Sequence, residues 1–579
     1  MANGSLLNLG GNVNPCCQDE WNDDTLAGRA QLQFKPDDRL TIRVVGAAAR
    51  QHLSSGSYTN IATVPVVDSL GRVINSIFAS PTETRTGIDQ NGNNYTAFPG
   101  APPSRVPGAD WFGFTAPDAS KRLVSKDFAR ADLNRTKSYN ASLHIDYDMD
   151  GATIVSITDF KKFTKNFAMD VDASPVSLVE YGTKANTKSW TQELRISGET
   201  DSLNYTAGFY YLNINAGSSN GFLAPAYSIF SSLFGATTTG IDLVNTFRLK
   251  TRSASVFGQV EYKFAPQWTF ILGGRLIRES QKYNFVSNAM VDDDPFRIDT
   301  GTALFPLQPS FVDKRSKTLW AGKAQLEFRP NKDLLIYAGV NRGVKGGSYN
   351  AKLPDGTPPL AASDIPYKPE VLLSYEGGFK LTFLGGKGTF NASGYYYDYS
   401  NYQAFTFSNV SGFVQNRDGR TYGAEADISL RPVHGMQIAL SASVFNARVK
   451  NVQIAPGVFR TVRPTFAPQN QFSGQFSYQL PLDVLGGALT VSGDGTYSSS
   501  FYHNIRNFDS NKIKGYALFN ARIGWTDASE AYRLAFFVNN LTNKSYKTVG
   551  YDLSTLCGCN EESYGRPRWW GVTAGYKFQ

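Results

Sequence analysis

From about residue 24 onward, apolar and polar side chains alternate in segment after segment of the chain. In the first segment Leu26, Gly28, Ala30, Leu32 and Phe34 fall on one side, and Arg29, Gln31 and Gln33 on the other. The rhythm returns at Trp320, Gly322, Ala324, Leu326 and Phe328 against Lys323, Gln325 and Glu327. It returns again at Tyr422, Ala424, Ala426, Ile428 and Leu430 against Glu425, Asp427 and Ser429. A period of two puts successive side chains on opposite faces of a strand, so each segment predicts a strand with one dry and one wet face. Helical periodicity is almost absent: no long segment keeps a 3.6-residue apolar stripe.

Nine tight turns separate paired segments: Lys35-Pro36-Asp37-Asp38, Asp148-Met149-Asp150-Gly151, Gly198-Glu199-Thr200-Asp201, Ala265-Pro266-Gln267, Pro330-Asn331-Lys332-Asp333, Leu384-Gly385-Gly386-Lys387, Pro432-Val433-His434-Gly435, Leu482 to Gly487, and Thr526 to Glu530. Pro, Asp, Asn and Gly supply dihedrals that strands lack. Nine hairpins and a C-terminal segment make nineteen predicted strands. The hairpins are joined by long connections: residues 53–135, then about 217–250, 283–315, 346–369, 450–467 and 544–568. Short turns at one end and long loops at the other are the arrangement of an outer-membrane barrel. A strand of roughly 10 tilted residues crosses an apolar band about 25 Å tall, and segments such as 254–264 and 317–328 are long enough. A propeller would instead repeat at a nearly constant length.

Composition changes the picture only once the strands are in view. Mean hydropathy is −0.30, and no stretch approaches the roughly 20 apolar residues of a membrane helix. A barrel shows lipid only alternate residues, so it carries the hydropathy of a soluble protein. Aromatics make up 13% of the 579 residues, as a girdle at the water–lipid boundary requires. The net charge of +8 is spread along the chain without a basic stripe or a nucleic-acid-binding module, which argues against a nucleic-acid partner. The expectation is an all-β transmembrane antiparallel barrel over residues 24–579, with outer-membrane lipid as its surroundings.

Six blocks then carry a resemblance: LLIYAGVNRGVKGGSYN (334–350), KPEVLLSYEGGFK (368–380), GYYYDYSNYQ (394–403), RTYGAEADISL (420–430), FVNNLTNKSY (537–546) and YGRPRWWGVTAGYKF (564–578). In this order they resemble the barrel of TonB-dependent outer-membrane receptors; residues 1–330 match mainly in strand rhythm. The resemblance implies a Gram-negative outer membrane, a TonB-type energy-coupling partner, and a scarce small-molecule ligand such as a ferric siderophore. It also implies a signal peptide, a coupling motif, a plug inside the barrel and twenty-two strands, an even number as bacterial barrels require. The opening MANGSLLNLGGNVNPCC matches none of the preceding parts. Nineteen strands leave the first and last parallel and the amino terminus outside the cell. Three further strands upstream would repair both, so the chain is read as an N-terminally truncated receptor, residues 1–23 being the remnant of an extracellular loop. The alternative function is a passive pore or surface-binding barrel.

No enzyme emerges from the residues. His52, His144, His434 and His503 are scattered, and there is neither a phosphate loop nor a nucleophile elbow. No cofactor is expected and no metal site is assigned. Glu261, Glu327, Glu425 and Asp427 belong to the wet half of the alternation. Asp292-Asp293-Asp294 is read as a solvated loop tip. Cys16, Cys17, Cys557 and Cys559 fall in long loops and are expected to form loop-bracing disulfides, with three pairings possible. Trp570, Val572, Ala574, Tyr576 and Phe578 form the apolar face of the C-terminal strand and mark it as the membrane-insertion segment, although Gln579 follows where the family usually ends on the aromatic. The loops also carry aromatics beside cations: Trp111, Phe112, Phe114, Tyr227, Phe230, Phe234, Arg342, Lys345, Tyr349, Phe405, Phe407, Arg417 and Arg420. Such surfaces suit a bulky anionic chelate or a stacked sugar; none of the thirteen is assigned as a ligand contact.

Overall fold

The computed structural model describes residues 7–8, 24–53, 58–98, 100–117, 123–124, 134–291, 298, 301–353, 359–408 and 411–578. Nineteen wall strands follow one another in chain order. They are β1 (Asp24–Phe34), β2 (Leu40–Leu53), β3 (Asn134–Met149), β4 (Ala152–Asp170), β5 (Glu180–Glu199), β6 (Leu203–Ala224) and β7 (Ile241–Ala265). Next come β8 (Trp268–Met290), β9 (Ala303–Asn331), β10 (Leu334–Lys345), β11 (Glu370–Phe383), β12 (Gly388–Ser408) and β13 (Ser411–Leu430). The last six are β14 (Met436–Ala455), β15 (Asn470–Asp483), β16 (Gly487–Ser498), β17 (Tyr516–Asp527), β18 (Tyr532–Asn539) and β19 (Trp569–Tyr576). All nine predicted turns fall at the junctions of consecutive wall strands. At Leu384-Gly385-Gly386 the backbone runs through three consecutive positive φ values, 54°, 63° and 88°, a path that two glycines make accessible.

Register explains why the sheet belongs in lipid. Leu194 lies opposite Phe209, Phe209 opposite Val256, Val256 opposite Leu276, and Leu276 opposite Trp320. A second row runs Leu272, Ala324, Val340, Tyr375, Tyr396, Tyr422 across six strands. Every large side chain in these rows is exposed, so the sheet presents continuous apolar bands that water would penalise and acyl chains would not. The opposite face is polar and internally bonded. Gln325 donates to Glu327 at 2.9 Å, Gln259 to Glu261 at 2.9 Å, Asn391 to Asp427 at 2.9 Å and Ser443 to Glu425 at 3.3 Å. The four acidic residues assigned to the wet face are therefore all inward.

The sheet curls into a barrel, yet its hydrogen-bonded path has two ends. Among the described residues β1 pairs only with β2, and β19 only with β18. An odd number of antiparallel strands leaves those two edges parallel, so they cannot join by the antiparallel ladder used elsewhere in the wall. All eleven residues of β1 are exposed on both faces, which fits an edge. Trp570, Val572, Ala574 and Tyr576 lie on exposed β19 positions, and Phe578 lies just beyond its end.

Three predicted loops are corrected in part to strand: in 450–467, β14 continues to Ala455 and pairs with a short strand, Val458–Val462. β6 and β7 continue to Ala224 and from Ile241, and β8 and β9 to Met290 and from Ala303, well inside the ranges 217–250 and 283–315. β9 alone has 29 residues, on the order of 95 Å of strand at about 3.3 Å per residue, several times the lipid band. The wall stands high above the membrane at its long-loop end, where Phe222, Leu223 and Ala224 are buried in succession. With protein on both faces, alternation disappears while backbone pairing persists. Connection 53–135 is likewise not irregular throughout, since it carries the strands described next.

Candidate functional site

At the long-loop end a second sheet joins the start of the chain to its end. Tyr58–Val67, Val73–Phe78, Gly87–Asp89 and Asn94–Tyr95 come from the first long connection, Lys547–Leu553 and Cys559–Tyr564 from the last. Glu562 is registered against Thr59, and Cys559 against Ala62. The meeting point is Cys557-Gly558-Cys559, whose two sulfurs are bonded to each other. This bridge spans a single residue and braces its own turn rather than tying two loops together. Cys16 and Cys17 lie outside the described residues, as do Asp292-Asp293-Asp294 and Gln579.

The turn is held by polar contacts from the first connection. Thr63 N–H donates to the Gly558 carbonyl at 2.7 Å, and Trp111 N–H to the Cys557 carbonyl at 2.8 Å. Gly558 has φ +64°, and a Cβ there would sit 2.2 Å from Trp111 Cδ1, so only glycine lets the indole lie on this turn. Trp111 Nε1 donates to the Thr86 carbonyl at 3.1 Å. Arg105 Nη1 donates to the carbonyls of Thr63 and Ala109 at 2.8 and 3.2 Å. Asp110 accepts from the backbone N–H groups of Phe112 and Phe114, both at 2.9 Å, and from Asn60 at 3.1 Å. Burial nevertheless pushes its carboxyl up to about 6. Glu83 goes the other way: its hydrogen bonds to the Arg85 guanidinium hold it down to about 2.

Deeper in the mouth, Arg506 Nη2 lies 2.6 Å from Asp552 Oδ2 with both side chains buried. Lys547 pairs with buried Glu562, whose carboxyl burial pushes upward. His503 is held neutral by burial, down to about 4, against the upward pull of Asp552. The apolar core beneath combines Leu553, Cys557 and Cys559 with Val171, just past the end of β4, and with Phe222 and Leu243 from the tall part of the wall.

Between this mouth sheet and the inner wall lies a cavity of about 610 Å³. Lys512, Lys514, Lys544 and Lys547 line it together with Tyr516, Tyr546, Tyr564, Phe78 and Phe114. A larger inner-wall hollow of about 860 Å³ is lined by Tyr337, Lys380, Glu425, Asp427 and neighbouring polar groups.

Of the thirteen aromatic and cationic loop residues noted from sequence, only Phe114 reaches the basic cavity. Trp111 is buried in the turn contact, and Phe112, Phe230 and Phe407 pack on the mouth core. Tyr349 is stacked 4.3 Å from Tyr283, under the Arg315 guanidinium. Arg342 and Arg420 share the parity of the outward rows, Arg342 covering the exposed Trp320 ring at 4.0 Å. Such a cation reaches up from the apolar band to its wet boundary. Arg417 bonds Gln415 at 3.0 Å; Tyr227, Phe234, Phe405 and Lys345 are exposed away from the cavity. The lysines that do line it were legible only as two short runs, KIKGY (512–516) and KSYK (544–547).

The family model "TonB dependent receptor-like, beta-barrel" matches residues 77–541. The chain belongs to the TonB-dependent receptor family. Solved TonB-dependent receptors share its fold. It is similar to the ferric yersiniabactin uptake receptor FyuA from Yersinia pestis, with a TM-score of 0.71 at 15% identity over 100% of this chain and 73% of that one. It is also similar to the siderophore receptor PiuA from Acinetobacter baumannii, with a TM-score of 0.60 at 14% identity over 96% and 79% of the two chains. The ferric-catecholate import receptor Fiu from E. coli K12 gives a TM-score of 0.62 at 14% identity over 96% and 75%. TonB-dependent receptors are outer-membrane β-barrel proteins of Gram-negative bacteria, and they are transport receptors rather than enzymes.

Proposed function

We infer that the chain is the barrel of an outer-membrane receptor for energised uptake of a scarce nutrient, a ferric siderophore. What supports this most is the combination of an outward apolar wall, a polar interior and a structured mouth with a cationic, aromatic cavity. The ferric yersiniabactin uptake receptor FyuA, the siderophore receptor PiuA and the ferric-catecholate import receptor Fiu share this fold. In this reading the mouth faces the extracellular medium and the nine short turns face the periplasm. The parallel edges of β1 and β19 are bridged by three more strands, giving an even, closed barrel of twenty-two. The plug and the motif that engages a TonB-type coupling protein belong to that same additional portion. β19 with its exposed Trp570, Val572, Ala574 and Tyr576 is the segment recognised during membrane insertion.

The test compares uptake of ⁵⁵Fe-loaded siderophores by cells carrying the gene with its upstream coding region against cells expressing this polypeptide alone, each with and without the coupling protein. Coupling-dependent uptake is expected only with the longer gene product. Coupling-dependent uptake by this polypeptide alone would overturn the assignment of plug and motif. A large, steady single-channel conductance in the longer product would favour a passive pore.

A further inference from the structure

We propose that the outward face of the tall wall, from β4 to β9, docks the negatively charged headgroups of outer-leaflet lipids. The inference goes beyond the transport reading and needs only that the barrel sits in its membrane. It grows from the register of one row of side chains.

Lys162 lies opposite Lys188, Lys188 opposite Asn215, Asn215 opposite Lys250, Lys250 opposite Lys282, and Lys282 opposite Lys314. Five of six consecutive wall strands thus bring a lysine to one row. Directly opposed like charges destabilise a strand pair, and three of these pairings set lysine against lysine. None of the five lysines has an ion pair among the described residues. No exposed acid relieves them. The Asp and Glu residues of β4–β9 either have the inward parity, as Glu193, Glu279 and Asp313 do, or are buried in the mouth, as Asp170, Glu180 and Asp242 are. Arg248 and Arg252, both exposed, flank Lys250 on the same face. Elsewhere the outward face mixes its signs: exposed Asp398 of β12 stands opposite exposed Arg420 of β13. A row of one sign, costly to the sheet itself, is offset when an anion from outside the chain lies across it.

Position says which anion. Lys282 is six residues from Leu276 and Lys314 six from Trp320, with no register shift between, so the row lies on the lipid-facing side. At its other end Lys162 and Lys188 stand two residues from Phe160 and Trp190, which oppose each other and are exposed. Rows run obliquely in a barrel because its strands tilt. This one starts a single pleat above an aromatic boundary and, at β9, stands roughly 20 Å of strand beyond the Trp320 ring. A lysine stem lies along apolar surface while its ammonium reaches water, and cations just outside an apolar band attract anionic lipid. A lipid serves both parts at once, its acyl chains against Phe209, Val256 and Leu276 and its headgroup against the lysines. A soluble polyanion would use the charge alone. Lysine, a compact point charge with rotatable donors, suits mobile headgroups better than one fixed bidentate partner.

The test is equilibrium binding to the full chain, purified in neutral detergent, at low and high salt. The probes are diphosphoryl lipid A, zwitterionic phosphatidylcholine, and the deacylated disaccharide diphosphate of lipid A. Lipid A is expected to bind at least about tenfold more tightly than either of the others, with affinity falling as salt rises. The variant Lys188→Gln, Lys250→Gln, Lys282→Gln, Lys314→Gln is expected to lose about tenfold for lipid A and most of the salt dependence. Lys263→Gln, Lys317→Gln, Lys323→Gln, Lys380→Gln makes the same change in net charge on the inward face and is expected to stay within about twofold of wild type. Unchanged heat-dependent gel mobility verifies folding in both. Wild-type affinity in the folded outward variant, or an equal loss in the inward one, overturns the site. Phosphatidylcholine binding as tightly as lipid A overturns the charge assignment. The deacylated headgroup binding as tightly as lipid A overturns the lipid as occupant and leaves a soluble polyanion in its place.

Discussion

The wall and the mouth of this molecule are both β-sheet, but different forces specify them. In the wall, side chains such as Leu272, Val340, Tyr375 and Tyr396 are set by the solvent they face, and their neighbours in register are of the same kind. In the mouth, the sheet depends on particular long-range partners: Arg506 with Asp552, Asn60 with Asp110, the Gly558 carbonyl with Thr63. The wall therefore tolerates exchange of one apolar residue for another, whereas the mouth tolerates little loss of a single polar partner.

The largest expected effect breaks the mouth alone. Arg506→Leu strips Asp552 of its buried guanidinium and is expected to cost about 3–5 kcal/mol of local stability. A phosphine reductant should then open the Cys557–Cys559 bond faster, while the barrel keeps its resistance to SDS at room temperature. If the barrel's resistance fails as well, wall and mouth are not separable units.

A charge in the wall comes next. Val340→Arg, in the middle of an outward row, is expected to cost about 2–4 kcal/mol in urea-driven refolding into vesicles. Asn341→Arg, one residue away on the inward face, should stay within about 0.5 kcal/mol. Equal costs at the two positions would invert or abolish the assignment of the lipid face.

The finest distinction is acid sensitivity, which belongs to the mouth. His503 is held down to about 4 from an ordinary 6.5, so the stability it supports is complete above pH 6.5 and is lost as pH falls toward 4. That loss is at most roughly 3 kcal/mol. Asp110, raised to about 6, acts in the opposite sense and favours the folded mouth as pH falls through 6. Removing the first with His503→Gln should leave the mouth less acid-labile, seen as a smaller rise in the rate of bridge reduction between pH 7.5 and pH 5. An unchanged rise would mean that His503 is not the group that charges.

These differences also explain what the sequence disclosed. The nine turns were readable because Pro, Asn, Asp and Gly mark a local dihedral need, and the wall strands because lipid and water impose a period of two. The tall extensions of β6 and β7 escaped notice because Phe222–Ala224 and Ile241–Val244 are buried without alternation. Trp111 was noted as a surface aromatic and is buried, because nothing local reveals that Gly558 offers it a seat. The basic cavity was invisible for the same reason: KIKGY and KSYK each look like ordinary solvated loop, and only the fold brings them together.

The registry of Ala62 with Cys559 carries a consequence for biogenesis. The Tyr58–Val67 strand and its counterpart Cys559–Tyr564 stand almost a full chain length apart in sequence. That strand has near partners of its own in Val73–Phe78 and Gly87–Asp89, but the stretch that meets Cys559–Tyr564 keeps open backbone groups until the last loop is in place. The mouth sheet is thus complete only when both ends of the polypeptide are present, so a barrel that has lost either one cannot finish its rim.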